Sequence, residues 1–255
     1  MTSEQRFLTA TWRRLAMLNY EIEPSLLEKY LPAGCERDLW FGRSFVSVVG
    51  FEFLDTRVLG VAIPFHRNFE EVNLRFYVRR KAKGIWRRGV VFVKELVPRR
   101  AIAWVARRVY SENYVYLPMR HSMQTIAEEG SVKLAYQWHR SGGWEGLSLS
   151  FLGEPIEPGD EALETFITEH YWGYSRTADG TTIEYRVDHP RWRLWQAAAA
   201  SLECNVASLY GPDFVEALAV PPSTAFVAEG SLVVVFRGSR ISDLAPNGTS
   251  HSRRP

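Results

Sequence analysis

The run Phe69-Glu70-Glu71-Val72-Asn73-Leu74-Arg75-Phe76-Tyr77-Val78 alternates with the period of two that a β-strand imposes. Val72, Leu74, Phe76 and Val78 make one face wholly apolar. Phe69, Glu71, Asn73, Arg75 and Tyr77 make the other. Such a strand buries its first face in a core, and its second then looks at water or into a polar cavity. Residues two apart stand roughly 6.6 Å from each other on one face. Glu71 and Arg75 are therefore too far apart to pair directly. If buried, each needs another partner, from the protein or from a ligand. A carboxylate, an amide, a guanidinium and a phenol in one row suit a small, oxygen-rich molecule.

More strands follow from the same period and from turn residues. They run from Thr11 to Ile22, Phe45 to Leu54, Gly89 to Val97, Tyr114 to Ile126, Val132 to His139 and Gly146 to Leu152. Glu169 to Tyr174 and Thr182 to Val187 flank Ala178-Asp179-Gly180, a hairpin signal, and Ser231 to Arg237 reads as a buried strand. Short helices are expected after Pro24, over Ala101 to Val109, at Glu161 to Phe166 and after Pro212. Ala197 to Tyr210 also has helical composition. The expected fold is α+β but mainly β, an antiparallel barrel of nine or ten strands with a few packing helices. It spans residues 1–241 as one domain, and 242–255 form a loose tail.

At 255 residues and 46% hydrophobic the chain can bury a full core. A net charge of +2 gives no reason to expect a nucleic-acid partner. Cys35 and Cys204 lie far apart, which argues against a disulfide scaffold or a cysteine zinc site. No histidines stand at metal-binding helical spacing, so neither a metal nor another cofactor is expected. The first residues open no secretory signal, and no run approaches a membrane span. The expectation is a soluble cytoplasmic protein without a membrane partner, and a homo-oligomer is compatible with it.

Other residues carry possible chemistry. His121 is a candidate acid or base, against the alternative of a hydrogen-bonded structural histidine. His170, Trp172 and Tyr174 share one strand face, and Tyr174 is a ligand-contact candidate beside ordinary strand packing. Arg107, at a helix end, can turn inward toward an anion. His66 and Arg67 lie in the loop before the alternating strand. The only lysines are Lys29, Lys81, Lys83, Lys94 and Lys133.

Several segments together resemble the YqjF-like family of uncharacterised bacterial proteins. They are Tyr30-Leu31-Pro32-Ala33-Gly34, Phe45 to Phe51, Phe69 to Arg75, Val97 to Ala103 and Leu117-Pro118-Met119-Arg120-His121. That family is more distantly similar to the acetoacetate decarboxylase superfamily. The resemblance implies a β-barrel or cone with a pocket in its mouth. It also implies that Glu71 is the pocket glutamate, because Phe69-Glu70-Glu71-Val72 looks like the decarboxylases' aromatic-x-Glu-Val segment. Met119 stands where those enzymes carry a Schiff-base lysine, and no lysine occurs between Lys94 and Lys133. Imine-based decarboxylation is therefore not expected.

Two functions remain open. One is a barrel that binds a small carbonyl or carboxylate (keto-acid-like) ligand through Asn73, Arg75, Tyr77, Met119, Arg107 and Tyr174. The other is a lysine-independent lyase, hydratase or hydrolase using Glu71 and His121. A structural or partner-binding protein is a third reading.

Overall fold

The computed structural model describes residues 5–104, 112–127 and 130–241. Its strands, in chain order, begin with β1 (Arg6–Ile22), β2 (Glu36–Arg37), β3 (Ser44–Val58), β4 (Val61–Ala62), β5 (Phe69–Ala82) and β6 (Ile85–Val97). They continue with β7 (Tyr114–Tyr116), β8 (Met119–Ile126), β9 (Ser131–Arg140) and β10 (Gly143–Phe151). Last come β11 (Trp172–Arg176), β12 (Thr182–Asp188), β13 (Leu194–Glu203), β14 (Thr224–Ala228), β15 (Leu232–Phe236) and β16 (Ser239–Arg240).

A ring of these strands closes on itself. β1 pairs with β3, β3 with β5, β5 with β6, β6 with β11, β11 with β12 and β12 with β15. β15 then returns to the first half of β1. The second half of β1 stays paired with β3 but exchanges β15 for β14, which starts a second sheet running through β13, β10 and β9 to β8. Arg14 marks the switch. Its φ of 53° is left-handed, and the register against β3 slips between Arg13 and Ala16. One extra residue there bends the strand out of one sheet and into the other.

The two sheets give β1, β3 and β5 a core on each face. Ala16, Leu18, Val48, Leu74 and Phe76 pack against Tyr136 and Trp138 of the second sheet. Met17, Val49, Phe51 and Phe69 fill the barrel interior instead. The middle of β5 is buried on both faces: Val72, Leu74, Phe76 and Val78 are fully buried, and Glu71 is only 3% exposed on the opposite side.

Several expectations need correction. The sheet is mixed, because β6 pairs in parallel with both β11 and β7. Parallel neighbours need a long crossover, and the stretch between Val97 and Trp172 supplies one. Residues 197–203 are strand, not helix, and only Val206–Leu209 turns helical. Alanine's helical preference is weak, and here the β10 ladder overrides it through pairs such as Phe151 with Ala197 and Leu149 with Ala200. Tyr114 to Ile126 is broken at Leu117-Pro118, since proline has no N–H to give to a ladder. The break sends β7 to the barrel and β8 to the second sheet. β14 is buried at every position, so it shows no alternation to read. The expected helix over Ala101 to Val109 is helical at residues 101–104, and its remainder, like the tail 242–255, lies outside the described residues.

Candidate functional site in the barrel interior

The barrel interior holds a cavity of about 220 Å³. Most of its wall is apolar, with Phe51, Phe53, Phe92 and Trp192 among the larger side chains. Glu71, Asn73 and Arg75 reach it from β5, because odd positions of that strand face inward. Glu95 of β6 joins them, and Glu112 and Tyr114 enter at the start of β7.

Glu95 faces inward because β6 contains a bulge. Leu74 pairs with Lys94 while Arg75 pairs with Phe92, so Val93 is an extra residue. Strict alternation would put Phe92 and Lys94 on one face. In the structure Phe92 lines the cavity, whereas Lys94 lies outside the barrel and donates to the Leu209 carbonyl.

The carboxyl groups form a connected set. Asn73 Nδ2 donates to Glu71 Oε1 at 3.1 Å, and the Tyr114 hydroxyl donates to Glu71 Oε2 at 3.0 Å. The Tyr185 hydroxyl donates to Glu112 Oε1 at 3.1 Å. Gly173 makes room for Tyr185, since a Cβ there would lie 2.1 Å from the Tyr185 ring. Burial, only partly offset by the Asn73 and Tyr114 hydrogen bonds and by Arg75, raises Glu71 to about 7. Burial also raises Glu112 to about 8, with the Glu71 charge adding to it. Glu95 is pushed well above the usual carboxylate range by burial and then by the charges of Glu112 and Glu71. Near neutral pH Glu112 and Glu95 are thus largely protonated and can donate as well as accept hydrogen bonds, while Glu71 is divided between its two forms.

Among the described residues, Arg75 is the only lysine or arginine of the cavity wall. Among the described residues it has no carboxylate within ion-pairing distance. Its guanidinium carbon lies 5.8 Å from the Tyr77 ring centroid, and its buried Nε has no hydrogen-bond partner. Buried side-chain atoms of five more lining residues are also unpartnered: Trp12 Nε1, Thr56 Oγ1, Asn73 Oδ1, Glu95 Oε2 and His170 Nδ1. Buried polar groups without partners are costly, so their gathering around one cavity sets it apart from the remaining core.

The other expected site residues lie elsewhere. Tyr77 is on the inward face but does not line the cavity, and it packs on Phe166 and His170. Met119 and His121 belong to β8, so the break at Pro118 carries both away. Met119 packs against the outer core. His121 Nδ1 lies 2.8 Å from Glu70 Oε1 on the far side of the barrel wall. The Glu70 hydrogen bond raises its pKa, as a surface ion pair does. Tyr174 points outward because Gly173 occupies the inward position, and its hydroxyl bonds Glu184 at 3.1 Å. Arg107 lies outside the described residues. His66 lines the cavity, whereas Arg67 pairs with Asp55.

Sequence reasoning missed Glu95 and Glu112 as cavity residues, and it placed His170 on one strand face with Trp172 and Tyr174, whereas the strand begins only at Trp172. The adjacent charges Lys94-Glu95 inside an otherwise apolar strand were the available signal for the first. Nothing local marks Glu112. All five lysines are described, and none lines the cavity.

The DUF2071 family model, an uncharacterized conserved protein, matches residues 9–231. The chain belongs to the DUF2071 family. Another similar protein is the uncharacterized protein YqjF of Bacillus subtilis (strain 168), 25% identical over 202 residues, which are 78% of each chain. Among solved structures, this DUF2071 chain is similar to the enduracididine biosynthesis enzyme MppR complexed with pyruvate. The TM-score is 0.65 at 13% identity, covering 96% of this chain and 93% of MppR. It is also similar to the acetoacetate decarboxylase of Legionella pneumophila, with TM-score 0.63 at 12% identity over 93% of this chain and 88% of that one. At such identities the likeness shows an acetoacetate decarboxylase-like fold. Among the described residues of this DUF2071 chain, no helix is long and apolar enough to cross a membrane.

Proposed function

We propose that this barrel binds a small organic carboxylate in its cavity without forming an imine. The observation that carries the reading is Arg75, a guanidinium at an apolar cavity with no carboxylate within ion-pairing distance among the described residues. An anionic ligand would supply the missing charge through charge-assisted hydrogen bonds. The protonated carboxyl groups of Glu95 and Glu112 in the same cavity reduce repulsion and offer donors. That MppR, of similar fold, holds pyruvate supports a ligand of this size and charge. The placement of all five lysines away from the cavity argues against covalent capture.

Calorimetric titration with pyruvate, propionate and acetoacetate at pH 6.5 tests this. At least one should bind, and Arg75→Met should weaken it by about tenfold or more. Unchanged affinity in that variant, or no binding by any of the three, would sink the proposal.

The carboxyl cluster favours a second reading, acid–base catalysis with Glu71 as the proton carrier. Groups that titrate near neutrality inside a cavity are suited to moving protons. The protein should then catalyse exchange of the methyl protons of pyruvate with deuterated solvent, and Glu71→Gln should abolish it. Exchange at the uncatalysed rate would leave binding alone.

A further inference from the structure

The cavity has a further polar group away from the carboxyl cluster. His170 follows the helix Leu163–Thr168 and lines the cavity with a side chain 1% exposed. Its Nε2 lies 3.1 Å from Asp38 Oδ2, and Arg88 Nε donates to that same oxygen at 2.6 Å. Asp38 directly follows β2, which pairs with β5, and is held by a backbone bond from its N–H to the Tyr77 carbonyl. The Arg88 guanidinium lies 4.8 Å from the Phe166 ring, which closes the pair off from below.

This arrangement fixes the tautomer. Asp38 is held below its ordinary value by its His170 and Arg88 partners, despite its burial, so it is a carboxylate. A carboxylate accepts only, and Nε2 must therefore carry the proton. Burial lowers the imidazole to about 4, so the ring is neutral at physiological pH. A neutral ring with its proton on Nε2 leaves a lone pair on Nδ1. Nδ1 is buried and has no hydrogen-bond partner. The aspartate thus holds the imidazole as a fixed acceptor, the polar edge left over for the cavity.

Arg75 lines the same cavity and contacts the same Tyr77 ring as His170. The guanidinium stands 5.8 Å from the centroid of that ring and the imidazole 4.7 Å from it. A lone-pair acceptor beside an anion-binding cation does not match a ligand that has only acceptors. Propionate and pyruvate offer this nitrogen no proton, whereas a hydroxyl does.

From the Asp38–His170 pair beside Arg75 we infer that the cavity selects hydroxycarboxylates, with the carboxylate on Arg75 and the hydroxyl donating to His170 Nδ1. This deepens the proposed carboxylate-binding function and rests on it. His170 is here a ligand-binding residue and Asp38 a positioning residue that sets its tautomer.

The test uses two matched series in calorimetry with the full chain. One is propionate, pyruvate and lactate (both enantiomers). The other is butyrate, acetoacetate and 3-hydroxybutyrate. In at least one series the hydroxy acid should bind about tenfold more tightly than both relatives, the worth of one good hydrogen bond. His170→Phe keeps the aromatic contacts with Tyr77 and Phe166 and should erase the preference, so that the hydroxy acid binds no more tightly than its unsubstituted relative. If the acids bind but no hydroxy acid leads its series, the inference is wrong and carboxylate binding stands. A preference that survives His170→Phe also overturns it. If none of the six binds, the carboxylate reading falls and this one with it. Nitrogen-15 NMR of the wild type guards against a variant that fails to fold. The His170 Nδ1 resonance should be of the unprotonated kind and should move with the hydroxy acid but not with its unsubstituted relative. A protonated Nδ1, or one that ignores the ligand, would refute the assignment.

Discussion

Glu112 shows how much one buried carboxyl group can control. Its folded pKa of about 8 stands far above the ordinary 4.5 because burial penalises its charge. Between those values the folded chain keeps a proton that the unfolded chain has released. Raising the pH through that window therefore favours unfolding, and the loss is complete above the folded value. Glu112→Gln removes this group but keeps an acceptor for the Tyr185 hydroxyl. The variant should match the wild type in thermal stability at pH 5 and exceed it at pH 8 by several degrees. Only the difference between variant and wild type isolates this group, since His170 and His189, both lowered to about 4, titrate in the opposite sense. Melting curves at pH 5, 6.5 and 8 measure it, and a difference that does not grow with pH would contradict the account.

At the scale of elements, strand packing explains both what the chain reveals in its sequence and what it hides. The alternation of β5 was legible because each face meets a different core, so each position is under one clear demand. The site on that strand was legible for the same reason: Glu71, Asn73 and Arg75 share the parity of Phe69. The inward turn of Glu95 was not, because the Val93 bulge shifts parity without any glycine or proline to announce it. His121 misled through its neighbours, since Pro118 assigns the residues on either side of it to different sheets. Close packing between elements also makes a prediction. Gly50 of β3 faces Tyr136 of β9, and a Cβ would come within 2.7 Å of that ring. The ring has little freedom, being fully buried with its hydroxyl bound to the Arg14 carbonyl at 2.9 Å. Gly50→Ala should cost about 1–3 kcal/mol in urea unfolding. Unaltered stability would mean that the two sheets are free to move apart there.

Across the whole molecule, the barrel is not equally strong all the way round. β1 and β3 pair over nearly their full lengths. The ring is completed at two narrow seams, Trp172-Gly173 against Gly89-Val90 and Val187-Asp188 against Val235-Val234. Short pairings open at lower cost than long ones. Hydrogen exchange should therefore be faster for peptides covering residues 172–173 and 234–235 than for those in the second half of β1 and its partner β3, and uniform protection around the ring would refute this. The switch of β1 between sheets has a broader consequence. Because it gives β3 and β5 a partner sheet on their outer face, the side chains that choose a ligand and those that hold the sheets together ride on the same backbone yet face opposite ways. Inheritance can then revise one set while leaving the other alone. Divergence within such a lineage should gather at odd positions of β5, where a new occupant is admitted, while Val72, Leu74 and Phe76 keep the architecture that admits it.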